Sequence, residues 1–209
     1  MLNWASRFGI FCFLDNQEYY SQSNQYELLL AVEVEKEFIG DSIDKLDLFI
    51  QQDKNWCFGH LSYDLKNAFY SLPQSRPNQV SFPPVYFFKP RTLIAIKGNE
   101  ITITSDDPDI VWNEIVSTKE IDSYSANEIK IQQRISKEEY IEIIKNLKWH
   151  ISRGDCYEIN FCQEFYATIE RLNPYYVFQK LMEVSPNPFS AFYKLNDKFL
   201  LCASPERYL

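Results

Sequence analysis

VYFFK at residues 85–89, RTLIAIK at 91–97, the Gly98-Asn99 turn and EITIT at 100–104 decide the fold. Apolar and polar residues alternate on both sides of a two-residue turn, which is the pattern of a β-hairpin, here with an additional strand before it. A second hairpin follows the same logic near the end of the chain. Residues 189–195 and 198–203 flank Asn196-Asp197. Between and before these hairpins lie segments with helical spacing. Ile43, Leu46, Phe49 and Ile50 recur on one face over 41–52, after Asp41 or Ser42 as cap. Asp107-Pro108 opens a short helix carrying Ile110, Val111, Ile115 and Val116. The composition of strands closed by tight turns, with helices interspersed and no βαβ rhythm, predicts an α+β protein with mostly antiparallel strands. Residues 8–14, 26–34 and 56–63 supply further strands, and Pro174 through Val184 another helix.

Ser136-Lys-Glu-Glu139 is a capping box, and Tyr140, Ile143, Ile144, Leu147 and Ile151 fall on one face of the helix it starts, with Gly154 as its stop. Beyond it, 156–169 (CYEINFCQEFYATI) alternates. Tyr157, Ile159, Phe161, Phe165 and Ile169 take one side of the expected strand, while Glu158, Asn160, Cys162 and Glu164 take the other. The polar side is either solvated or the wall of a cleft. From 118 to 135 no clean period survives, so the chain is expected to divide into an amino-terminal region 1–117, a linker 118–135 and a second region 136–209. Four prolines within 71–84 predict an extended loop.

Charge and composition narrow the function. The 209 residues carry 21 Lys and Arg against 29 Asp and Glu, a net charge of −8, which argues against nucleic acid and anionic membrane as partners. No apolar run reaches the roughly 20 residues of a membrane helix, and no leader is recognisable, which points to the cytoplasm. The five cysteines are scattered without a CxxC pair and only His60 and His150 accompany them, so neither a disulfide framework nor a zinc site is expected. His60 reads as a satisfied or half-exposed strand histidine and His150 as a solvated one. Glu206 follows a strand end and a Ser-Pro turn, which is either an exposed loop position or a carboxylate held at a cleft mouth.

Three motifs in order add a resemblance. SRGDCYEINF at 152–161, SPNPFSAF at 185–192 and ASPERY at 203–208 resemble the opening of the chorismate-binding domain shared by anthranilate synthase, aminodeoxychorismate synthase and isochorismate synthase. WCFGHLSYD at 56–64 is similar to the amino-terminal region of the same family. The Ile159-Asn160-Phe161 variant looks more like the aminodeoxychorismate branch. The resemblance implies antiparallel β-sheets packed face to face with helices outside, incomplete at the C-terminus. It also implies the amino-terminal part of an enzyme that makes 4-amino-4-deoxychorismate, for para-aminobenzoate and folate, from chorismate and ammonia delivered by a glutamine amidotransferase subunit. Anthranilate synthase component I is the enzymatic alternative, and a non-catalytic module that binds a glutaminase is the alternative of another class.

The same resemblance makes Glu206 catalytic and puts Ser204, Asn160 and Glu158 at the substrate. Glu158 stands where isochorismate-forming relatives have a Lys and amine-transferring ones commonly a Gln, so it cannot repeat a Lys base. The Lys-bearing Pro-Ile-Lys-Gly-Thr segment and the carboxylates that hold Mg²⁺ are expected beyond residue 209, leaving no metal ligand within this stretch and no activity in it alone. Tryptophan-binding members carry a Ser after the first strand and an Arg before the second. The corresponding stretches here are Leu14-Asp15-Asn16 and Asn24-Gln25-Tyr26-Glu27, with Asn187-Pro188 kept on the other wall. No tight tryptophan binding is expected.

Overall fold

The computed structural model describes residues 1–19, 25–70, 79–119 and 129–207. The chain forms two units, one of Met1–Asp122 with Pro174–Leu209 and one of Ser123–Asn173. In chain order the first unit holds α1 (Leu2–Ala5), β1 (Ile10–Asp15), β2 (Leu28–Gly40), α2 (Ile43–Gln51), β3 (Phe58–Leu61), a 3₁₀ turn at Tyr63–Leu65, α3 (Lys66–Tyr70), β4 (Val85–Lys97), β5 (Glu100–Thr104) and α4 (Pro108–Ser117). The second unit contributes β6 (Gln132–Gln133), α5 (Lys137–Ser152) and β7 (Phe165–Tyr166). The chain then returns to the first unit with α6 (Pro174–Val184), β8 (Phe189–Leu195) and β9 (Lys198–Ser204).

Local chemistry sets these boundaries. Ser42 caps α2 by accepting from the Lys45 amide, Asp107 caps α4 by accepting from that of Ile110, and Ser136 caps α5 by accepting from that of Glu139. Gly154, at φ +80°, ends the last turn of α5. Gly98 at φ +58° and Asn196 at φ +57° supply the left-handed residue that each hairpin turn requires.

One seven-stranded antiparallel sheet, in the order β3-β4-β2-β1-β8-β9 with β5 on the second half of β4, carries the first unit. Because β8 lies beside β1, the returning segment completes the sheet begun at the amino terminus. Side chains alternate between its faces. Phe11, Leu30, Val32, Ile94 and Phe192, all fully buried, pack with Trp4 and Phe178 of α1 and α6. Cys12, Ala31, Tyr86, Phe88 and Tyr193 form a cluster with Phe58 and Leu195. Full burial of each large side chain contributes about 1.5–3 kcal/mol. The antiparallel α+β class stands as the sequence predicts, with β6-β7 as a separate two-stranded sheet.

Two expectations are corrected. Residues 85–89 and 91–97 are one strand, not two, and β4 runs through Pro90. Proline lacks a ladder donor, but Pro90 sits where that costs least. Its outer edge falls between the residues paired by β3 and those paired by β5, and its inner edge meets a β-bulge between Val34 and Lys36. β2 carries Glu33 at φ +61° and continues to Gly40, beyond the expected end at 34.

The second correction concerns 156–169. Only Phe165 and Tyr166 are in a strand, paired with Gln133 and Gln132, and 156–164 is irregular. Tyr157 is 95% exposed, and Ile159, Phe165 and Ile169 are exposed as well. Alternation selects a face, but a strand forms only where a neighbour accepts its backbone bonds. Residues 71–78 of the predicted 71–84 loop and 120–128 of the predicted 118–135 linker lie outside the described residues.

Candidate functional site

The last strand delivers the Ser-Pro-Glu turn. Ser204 is the final paired residue of β9, opposite Phe189, and Pro205 ends the ladder by having no N–H to give. The Ser204 hydroxyl then binds the backbone of Glu206 twice. It accepts from the Glu206 amide at 3.2 Å and donates to the Glu206 carbonyl at 3.0 Å. Ser204 is half-buried and Glu206 exposed. Ser204 and Glu206 are thus brought together. Glu158 and Asn160 belong to the other unit, on its irregular stretch, where both are exposed and neither side chain has a hydrogen-bond partner among the described residues. Glu164, which alternation put beside them, is instead gripped by Arg134 through two bonds of 2.9 and 3.3 Å, while the Arg134 guanidinium lies 3.8 Å from the Tyr166 ring centre.

A cavity of about 190 Å³ opens where β1, β2 and β8 end together. Asp15 stands opposite both Leu28 and Ser190, so the three strands present Asp15, Asn16, Glu27, Ser190, Tyr26 and Phe189 to one space. Its floor is held by local bonds. The Asn16 amide donates to the Glu27 carbonyl at 2.9 Å, and its side chain bridges the Glu18 amide and the Tyr19 carbonyl. Burial raises the Asp15 carboxyl above its ordinary range and the Glu18 charge adds to this, against the lowering effect of the Gln17 amide that bonds it. On the other wall Ser190 donates to the Asn187 carbonyl at 2.7 Å, and Asn187 reaches back to Ser185. Of the Leu14-Asp15-Asn16, Asn24-Gln25-Tyr26-Glu27 and Asn187-Pro188 stretches expected to form one pocket, Leu14, Asp15, Asn16, Tyr26, Glu27 and Pro188 line this space, and Asn24 lies outside the described residues. Among the described residues no Lys, Arg or His lines it, while Lys97 lines the larger space that shares Asp15, Asn16, Tyr26, Glu27 and Leu28 with it.

His60 is satisfied, as its strand position suggests. Its Nε2 donates to the Pro83 carbonyl at 2.9 Å, which leaves Nδ1 to accept from the Tyr193 hydroxyl at 3.3 Å. Burial lowers its pKa. His150 is half-exposed and pairs with Asp155 at 2.7 Å. Sequence reasoning missed one charged cluster. Lys89, only 1% exposed, donates to Asp53 at 2.6 Å, and Lys36 reaches the other carboxylate oxygen at 3.1 Å. The signal was a lysine closing the apolar run VYFFK. Among the described residues no three His, Cys, Asp or Glu side chains converge. The five cysteines are free thiols, and among the described residues no helix is long and apolar enough to cross a membrane.

Comparison with known proteins follows the same lines. The family model described as chorismate binding enzyme matches residues 13–209. A protein of Synechocystis sp. named anthranilate synthase component I-like is 26% identical over 156 residues, covering 71% of this chain and 32% of that one. Aminodeoxychorismate synthase component 1 of Klebsiella aerogenes is 28% identical over 156 residues, covering 72% and 34%. The chain therefore spans about a third of the length of these relatives. The crystal structure of anthranilate synthase component I from Streptococcus pneumoniae TIGR4 superposes with a TM-score of 0.72 at 16% identity, over 90% of this chain and 52% of that one, which shows a shared fold.

Proposed function

Since the chain belongs to the chorismate-binding enzyme family, whose model matches residues 13–209, we propose that it is the amino-terminal part of an enzyme that converts chorismate and ammonia to 4-amino-4-deoxychorismate. The nitrogen replaces the C4 hydroxyl, which leaves as water. Ammonia comes from glutamine through an amidotransferase partner, the role that the component naming of its relatives suggests, and the reaction runs in the cytoplasm. Glu206 assists proton transfer at the departing hydroxyl. Asn160 and Glu158 take the substrate-binding role that the family resemblance gives them.

The observation that carries the reading is the Ser-Pro-Glu turn at the end of β9, which fixes the backbone of Glu206 while leaving its carboxylate without a partner among the described residues. A carboxylate so placed is available to exchange a proton with a bound substrate. Mg²⁺, which the family resemblance implies, would be held by residues outside 1–209 and would polarise the departing hydroxyl. Relatives are named for both amine-transferring reactions, and the Ile159-Asn160-Phe161 variant favours the aminodeoxychorismate product over anthranilate. Glu206→Gln in the full-length protein tests the assignment. Turnover falls by about a hundredfold or more if Glu206 moves the proton, and normal turnover removes it from the mechanism.

A further inference from the structure

We propose that Ser204 acts as a positioning residue for Glu206 and makes no contact with substrate, an inference that rests on the proposed role of Glu206. Three observations carry it. The residue before a proline is confined to extended backbone, so Pro205 directs the chain out of the sheet at Ser204, the last residue paired to β8. The one hydroxyl proton of Ser204 is committed to the Glu206 carbonyl and one of its lone pairs to the Glu206 amide, so the group has no proton left to donate to a ligand. The Glu206 carboxylate itself has no hydrogen-bond or ion-pair partner among the described residues. Nothing else among the described residues holds it, so the Ser204 hydroxyl acts on it through the Glu206 backbone, which sets where the side chain leaves the turn.

The test is steady-state kinetics of the full-length protein with chorismate and ammonia. Ser204→Ala lowers kcat about five- to tenfold, the effect of losing a pair of neutral hydrogen bonds, with KM within twofold. Ser204→Thr, which keeps the hydroxyl, restores kcat to within twofold of wild type. Added to Glu206→Gln, Ser204→Ala costs less than a further twofold, because its effect travels through the carboxylate already removed. If the alanine variant does not fold, Ser204→Cys, which keeps the volume and weakens both bonds, is read by the same split of kcat from KM. A raised KM with kcat kept, full additivity with Glu206→Gln, or unchanged kinetics overturns the inference while leaving Glu206 in place. A wild-type protein that consumes no chorismate, or a Glu206→Gln variant with normal turnover, overturns the functional reading and this inference with it.

Discussion

β1, a continuous apolar run, and the alternating 156–169 stretch both read as strands in the sequence and end in different states. β1 is hydrogen-bonded along both edges, to β2 and to β8, and Phe11 is fully buried. In 156–169 two residues pair with β6, Tyr157 is 95% exposed, and charge takes over the work of pairing, with Arg134 holding Glu164. The difference teaches that alternation decides which side chains share a face, whereas neighbouring strands decide whether that face is buried. Among the described residues the second unit has a single buried hydrophobic side chain, Ile135, whose carbonyl receives the Gln163 side chain at 3.1 Å.

The largest way to break the contrast is to cut the sheet's core. Phe192→Ala, at a fully buried position among the rings of Phe11, Tyr175 and Phe178, is expected to cost about 3–5 kcal/mol in urea unfolding. Ile135→Ala, the corresponding cut in the second unit, is expected to cost about 2 kcal/mol, read from the protection of α5 amides against hydrogen exchange. Acid provides a third contrast, confined to the first unit. The Lys89 hydrogen bond holds the Asp53 carboxyl down at about 2. Its folded pKa lies below the unfolded value of 3.8, so the stability it contributes is present above pH 4 and is lost as pH falls toward 2. His60, lowered by burial, also favours the folded state above its unfolded value of 6.5 and loses that advantage as pH falls below it. Asp53→Asn flattens the first decline and His60→Gln the second in pH-dependent thermal melts. At the small end, Phe165→Ala, 62% exposed, changes stability by less than about 0.5 kcal/mol. In the cavity at the end of β1, tryptophan added in a calorimeter gives no micromolar binding, since among the described residues that line the cavity none is basic.

Much of this was legible in the residues. Ser42, Asp107 and Ser136 announce their helices because a cap is a local bond between a side chain and an amide three residues on. Gly98 and Asn196 announce the hairpins for the same reason. What depends on neighbours was not legible. Pro90 reads as a break, yet its missing donor falls opposite a bulge and between two shorter strands. Lys89 reads as a strand end, yet Asp53, 36 residues away, allows it to be buried. The Ser204 to Glu206 turn is local, held by bonds between residues two apart. Glu158 and Asn160 were placed by an alternation that has no ladder to support it.

The most direct measurement of the central claim is to incubate the full-length protein with chorismate, ammonia and Mg²⁺ and to identify the product by mass and fluorescence. The proposed function predicts a non-fluorescent product whose mass is that of chorismate with its C4 hydroxyl replaced by an amino group. Fluorescent anthranilate contradicts the product, and unconsumed chorismate contradicts the function.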